Sequence, residues 1–333
     1  MKVLYPFIAV LALIAVAFLG VKVAGLQYLF GVIFPYLAFA TFLGGFIYKV
    51  LHWAKSPVPF RIPTTCGQAN SLPWIEQDKL DNPSTTGGVV VRMLMEVFLF
   101  RSLFRNTKAE IHDGPKLVYG SSKYLWLFGL LFHYTFLVIV IRHMRLFTGH
   151  VPDFLHALEA GDALFQVGAP LLYQSDIIFV LAITFLFLRR LINANVRYIS
   201  LPADYFPLFL ILSIGITGIL MRYFVRVDVV SIKELAVGLT TFSIPAGITG
   251  KIGSIFFIHI FLVCTLMAYF PFSKLMHMGG VWLSPTRNMA NNSRMVRHIN
   301  PWNDPNIKPH SYADYEDEFR EFMTGANIPV EKE

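Results

Sequence analysis

Six stretches of this 333-residue chain run apolar for about the 20 residues that a helix needs to cross a bilayer. They fall at roughly 4–21, 28–50, 123–147, 172–192, 203–224 and 252–275. In lipid, every backbone amide and carbonyl must be paired within the protein, so runs of this length fold as helices. With 55% hydrophobic and only 15% charged residues, an ordinary soluble domain is excluded. The expected fold is an all-α integral membrane protein of about six transmembrane helices. Ala15-Val16-Ala17 resembles a signal cleavage site, but the apolar run continues past it, so 4–21 reads as an uncleaved span.

The links between the spans set the orientation. Lys55, Arg61, Lys79, Arg92, Arg101, Arg105, Lys108 and Lys116 crowd into 51–122, and Arg189, Arg190 and Arg197 follow the fourth span. By the positive-inside rule these links are cytoplasmic, as are both termini, and Lys274, Arg287, Arg294 and Arg297 agree. This explains the net charge of +7 without any nucleic-acid partner. Residues 89–105, VVVRMLMEVFLFRSLFR, have an amphipathic pattern. They form either a helix on the inner membrane surface or one packed on the cytoplasmic end of the bundle. The chain thus divides into two N-terminal spans (1–50), a cytoplasmic loop with that helix (51–122), a four-helix unit (123–280) and a cytoplasmic tail (281–333). Within the tail, YADYEDEFREFM (312–323) is a short acidic helix that docks on a soluble subunit, with disorder as the alternative.

Four histidines stand in or at the ends of two spans: His133 and His143 on the third, His259 and His277 on the sixth. Ten residues leave the first two rings about 80° apart around the helix, and eighteen residues make about five whole turns, so the second two point the same way. Three consecutive crossings make the third and sixth spans antiparallel. His133 then matches His277 in depth, and His143 matches His259. Opposed imidazoles that meet twice across a gap suit the two axial positions of a haem, a cofactor that bundles hold between facing helices. Histidine relays in a transporter or proton channel, and simple packing, are the competing readings. Zinc requires ligands gathered tetrahedrally around one point. The two cysteines, Cys66 and Cys264, cannot hold a cluster, and no C-x-x-C-H offers covalent haem attachment.

The spacing His-x9-His followed by His-x17-His resembles that of the nitrate reductase gamma-subunit family of membrane di-haem cytochromes b, over roughly 120–280. The resemblance implies two haem b groups, with axial ligands His133 and His277 for the haem nearer the cytoplasm and His143 and His259 for the outer one. The extra N-terminal span and the stretch FLFRSLFRNTKAEI are similar to relatives that pair with heterodisulfide-reductase-like iron–sulfur subunits. Among these, the cytochrome b subunits of complexes linked to dissimilatory sulfite reductase are similar in length and tail.

Such a resemblance implies a place in the prokaryotic cytoplasmic membrane, with menaquinol or menaquinone as substrate and a cytoplasmic iron–sulfur subunit as partner. A multihaem c-type cytochrome and a second quinone-interacting membrane subunit are implied as further neighbours, in sulfur or sulfate respiration. The family's quinol pocket includes a lysine in the external link after the first haem helix, and residues 148–171 contain none.

Arg142 and Arg145, beside His143, either pair with haem propionates or mark the end of the span. Lys274 has the same two readings near His277. His150, Asp153, His156, Glu159 and Asp162 are the titratable groups on the outer link that could accept quinol protons, or are simply solvated there.

Overall fold

The structure, a computed structural model, describes residues 1–56, 58, 77–112, 114, 116–163, 171–292 and 310–332. Cys66, Arg61, Arg294, Arg297 and the prolines Pro301, Pro305 and Pro309 lie outside the described residues. Helices dominate, as the apolar runs require. In chain order they are α1 (Leu4–Lys22), α2 (Phe34–Ala54), α3 (Thr86–Leu99), α4 (Arg101–Phe104), α5 (Lys123–His143), α6 (Asp153–Asp162) and α7 (Gln174–Ile192). There follow α8 (Ala194–Ile199), α9 (Pro202–Ile219), α10 (Val229–Thr241), α11 (Ser254–Tyr269), α12 (His277–Gly280), α13 (Pro285–Asn288) and α14 (Tyr312–Gly325).

Among the described residues, five helical segments are long and apolar enough to cross a membrane: Leu4–Lys22, Leu29–Ala54, Lys123–Leu146, Pro202–Phe224 and Ser254–Phe272. The protein is therefore an all-α membrane protein. The remaining expected span is α7, which has 19 residues but carries Asp176 near its start and Arg189 and Arg190 at its end. Asp176 is buried and already paired, as described below, so α7 contributes a charge to the interior that a purely apolar span lacks.

Packing follows from which faces are apolar. Phe179 and Ile183 of α7 form a buried cluster with Ile211 of α9, and Phe132, Phe136 and Ile139 of α5 lie against it. Val10, Leu210 and Leu262 join α1, α9 and α11. A third cluster, with Ala17, Val21, Phe30, Leu235 and Phe257, joins α1, the turn before α2, α10 and α11. At Gly31 a methyl group would stand 2.9 Å from the Phe257 ring, so only glycine lets that turn approach α11 so closely. The result is an arc in which α5 packs on α7, α7 on α9, and α9 on α11. Its two ends, α5 and α11, make no extensive backbone contact with each other.

Three features depart from expectation. The amphipathic stretch 89–105 is broken into α3 and α4 at Phe100, whose φ of 50° is unusual for a bulky residue. Its buried residues are Val89, Arg92 and Met93, while Val90, Val91, Leu94 and Phe98 stay exposed. The Trp126 indole donates to the Leu99 carbonyl (2.7 Å) and the Tyr134 hydroxyl to the Phe98 carbonyl (2.9 Å). These bonds fasten the break to α5, at its first turn and at its middle. Next, the loop holds a β-hairpin, with β1 (Thr107–His112) antiparallel to β2 (Lys116–Ser121) and Thr107 opposite Ser121. Almost all of its side chains are exposed, so no alternation of apolar and polar residues marks it in the sequence.

Third, the last span does not run on to His277. The helix α11 ends at Tyr269, and 3₁₀ turns at Phe270–Phe272 and Lys274–Met276 carry the chain to α12. Pro271 lacks an amide proton and cannot continue the α-helical ladder. The five-turn argument for His259 and His277 therefore does not describe how these residues are placed.

The tail helix α14 covers the predicted acidic segment. Ser311 and Asp314 form a capping box at its start. The Glu316 carboxylate accepts the amides of Glu331 (2.7 Å) and Lys332 (2.9 Å), so the chain end folds back on the helix.

Candidate functional site

Across the space between α5 and α11 the four histidines meet in two pairs. The rings of His133 and His277 have centroids 5.9 Å apart and planes crossed at 84°. Those of His143 and His259 are 6.4 Å apart with planes only 11° from parallel. Because the earlier histidine of α5 meets the later one of the other segment, and the later meets the earlier, α5 and α11 run antiparallel. Along α5 the two pairs are about 15 Å apart, at 1.5 Å per residue. The pairing is the one expected from depth, although the chain reaches His277 through the 3₁₀ turns.

Each ring is held by its Nδ1. His133 Nδ1 donates to the Gly129 carbonyl (2.7 Å) and His143 Nδ1 to the Ile139 carbonyl (2.7 Å), both one turn back on α5. His277 Nδ1 donates to the Lys274 carbonyl (2.9 Å). His259 Nδ1 is instead 2.9 Å from the Thr217 hydroxyl on α9. A carbonyl only accepts, so Nδ1 carries the proton and Nε2 presents its lone pair, the tautomer that a metal ligand needs. Phe100 meets the His133 ring edge-on at 5.0 Å, which links the unusual backbone at that residue to the first pair.

This geometry can be tested against an iron porphyrin. A metal–imidazole bond of about 2.0 Å plus roughly 1.1–1.2 Å from ring nitrogen to ring centre puts two trans imidazole centroids about 6.3 Å apart. Both pairs lie close to that spacing. The porphyrin supplies four ligands itself, so two imidazoles suffice. The described residues contain no group of three or more His, Cys, Asp or Glu side chains suited to a bare metal ion. Between the pairs α5 and α11 make no extensive backbone contact with each other. The residues fit the group.

Around the His143/His259 end lies a buried ionic network. Arg142 donates to Asp176 (2.6 Å) and stands 3.3 Å from Asp162. Asp176 also accepts from the Tyr223 hydroxyl (2.8 Å), and Asp162 accepts from the Ser175 amide (2.8 Å) and hydroxyl (2.6 Å). The Tyr173 ring is sandwiched between the guanidiniums of Arg142 (3.8 Å) and Arg222 (3.9 Å). Arg145 pairs with Glu159 at 2.7 Å. Of the quinol candidates, Glu159 and Asp162 are thus engaged with arginines, Asp153 lies in the first turn of α6, and His150 and His156 flank it. The link has no lysine of its own, but Lys233 of α10 reaches across to the Gly149 carbonyl (3.1 Å).

At the other end, the Lys274 ammonium is 2.6 Å from the Asp204 carboxylate, which also accepts the Leu201 amide (2.9 Å) and so caps α9. Sequence reasoning missed Thr217, Asp176, Tyr223 and Lys233. Each acts from a helix far along the chain, and nothing local marks it.

Known proteins bear on these residues. The profile of the nitrate reductase gamma subunit family matches residues 99–298. The Hdr-like menaquinol oxidoreductase cytochrome b-like subunit of Archaeoglobus fulgidus is 45% identical over 284 residues, 84% of this chain and 85% of that protein. The protein of the same name from Archaeoglobus profundus is 46% identical over 277 residues, 82% of each chain. With the four facing histidines all inside the matched stretch, the chain belongs to the nitrate reductase gamma subunit family, as a membrane cytochrome b-like protein.

Proposed function

We propose that the chain is a membrane di-haem cytochrome b subunit that carries electrons between menaquinol and a cytoplasmic iron–sulfur partner of the heterodisulfide-reductase type. The observation that carries this reading is the pair of bis-imidazole contacts at 5.9 and 6.4 Å between two antiparallel helices. The names of the relatives from Archaeoglobus, subunits of Hdr-like menaquinol oxidoreductases, support the quinol and the larger assembly.

His133 and His277 hold one haem b, and His143 and His259 the other. Bound in this way, haem supplies reversible one-electron transfer at an iron with no open position for substrate. The chain's own part is to fix the four rings and to present Nε2 on each. Arg142 and Arg145, beside His143 in the sequence, would supply positive charge to the propionates of the second haem. Both are already matched by carboxylates, which limits them to a shared role. Quinol meets the protein at the His143/His259 end. There His150, Asp153 and His156 are placed near the link to take up its protons. The basic loops at the opposite end support a cytoplasmic place for that end and for both termini. The tail, with its acidic helix α14, lies along the iron–sulfur subunit. A multihaem c-type cytochrome, a second quinone-interacting membrane protein and a place in sulfur or sulfate respiration complete the reading.

The test is quinol-driven haem reduction in membranes, with and without the partner subunits. Menaquinol is expected to reduce b-type haem in both, with reoxidation through the partner only when it is present. Membranes whose protein shows no reducible b-type absorption contradict the reading and leave a histidine relay in its place.

A further inference from the structure

Three of the four histidines are oriented by carbonyls of their own chain segment, three or four residues back. His259 alone among them has a side-chain partner, Thr217 of a different helix, with the Ile214 carbonyl of that helix beside it. Thr217 Oγ1 lies 2.9 Å from the Ser213 carbonyl and 2.9 Å from the Ile214 carbonyl, both on α9. A hydroxyl has one proton, and carbonyls only accept. With its proton directed at α9, Thr217 Oγ1 offers His259 a lone pair and accepts the Nδ1–H across the helix interface at 2.9 Å.

The rest of this wall of α9 is arranged around the ring. Thr217 is buried. Its neighbour Gly218 brings the backbone so near that a methyl group there would stand 3.5 Å from His259 Cε1. One turn back, Gly215 lets Phe179 of α7 lie against α9 where a methyl group would meet the ring at 2.4 Å. The threonine hydroxyl is therefore held at a fixed place relative to the imidazole, between small residues that let the helices close on it.

The acceptor on Nδ1–H sets how much electron density an imidazole passes to its metal. A strong acceptor gives the ring more imidazolate character and favours the ferric state. A hydroxyl is a weaker acceptor than a backbone carbonyl. We infer that Thr217 is a positioning residue which fixes the tautomer and plane of His259, and that this bond sets the redox poise of the His143/His259 haem separately from the other. The inference rests on the di-haem reading above and adds a residue that acts on one haem only. It also means that the two centres differ by design of the surrounding protein, since the His133/His277 pair has no side-chain acceptor of this kind.

The experiment is a redox titration of the purified full-length protein, with haem counted per chain and the two ferric centres followed separately by electron paramagnetic resonance. Thr217→Val removes the hydroxyl at nearly constant volume. At a fixed ambient potential it is expected to change the reduced-to-oxidised ratio of the His143/His259 haem by roughly two- to tenfold, as a net hydrogen bond is worth. The other haem should not move. Thr217→Ser, which keeps the hydroxyl, should restore the wild-type ratio. Selective loss of one haem from the valine variant also supports the inference, because the ring then needs its acceptor to bind. If the valine variant does not accumulate, Thr217→Ala makes the same deletion without the extra methyl. Two haems with wild-type poise and unchanged signals in the variants lacking the hydroxyl overturn it. A wild-type protein without haem instead defeats the di-haem reading itself.

Discussion

His143 and His259 face each other with ring planes 11° from parallel, whereas His133 and His277 are crossed at 84°. The difference follows from how each ring is tethered. His133 and His143 each bond to the carbonyl four residues back on one helix, so their planes are set by α5. Their partners are set by unrelated elements, Thr217 of α9 in one case and a 3₁₀ turn in the other.

Crossed and parallel axial imidazoles give low-spin ferric haems of different anisotropy. The oxidised protein should therefore show two distinct low-spin signals, the more anisotropic one from the His133/His277 pair. Replacing His277 by Ala should remove that signal and leave the other. A single signal accounting for both haems disagrees with the ring geometry.

The ionic network beside His143 should matter for stability more than any surface charge. Arg142 and Asp176 are both buried, and removing Asp176 leaves Arg142 with Asp162 alone, at 3.3 Å, and Tyr223 without its acceptor. Asp176→Ala is expected to destabilise the protein by about 1–3 kcal/mol. Asp176→Asn keeps an acceptor for Tyr223 and should cost less. Thermal unfolding of the detergent-solubilised protein measures both, and equal midpoints for wild type and the alanine variant argue against the network.

Acid should loosen the tail while the bundle stays folded. The Ser311 hydroxyl and amide hold the Asp314 carboxyl below its ordinary value of 3.8. The amides of Glu331 and Lys332 hold Glu316 below its ordinary 4.5. A carboxyl whose folded value is depressed contributes its full stabilisation above the unfolded value and loses it as pH falls through the folded value. Hydrogen-exchange protection of 311–325 should thus be high at neutral pH and fall below pH 4. Protection independent of pH down to 2 contradicts the capping arrangement.

Gly31 offers a test of the helix packing behind the second pair. Its missing side chain is filled by Phe257, two residues from His259 on α11. Gly31→Val should displace α11, and overpacking of this kind costs about 1–3 kcal/mol. Gly44, with open space around it, should accept alanine with little change in the unfolding midpoint. Equal effects at the two glycines contradict this packing.

Much of this was legible in the sequence, for physical reasons. Spans are legible because lipid imposes a length and forbids unpaired backbone. The pairing of His133 with His277 and of His143 with His259 is legible because consecutive crossings alternate in direction. Other features depend on contacts between distant segments. Pro271 warns of a helix break, but not that the chain then turns back towards His133. The αL backbone at Phe100 has no glycine or asparagine to announce it. Asp176 in α7 reads as a charge at the end of a span until Arg142, 34 residues earlier, is seen to meet it. Thr217 is one hydroxyl on an apolar helix, and only the facing of α9 and α11 shows what it holds.

The most direct measurement is the haem content and reduced-minus-oxidised absorption spectrum of the purified chain beside its His143→Ala variant. Two b-type haems per chain in the first and one in the second are expected, with His133→Ala removing the other. A chain with no b-type bands, or a variant that keeps both haems, contradicts the claim that these facing imidazoles carry the iron.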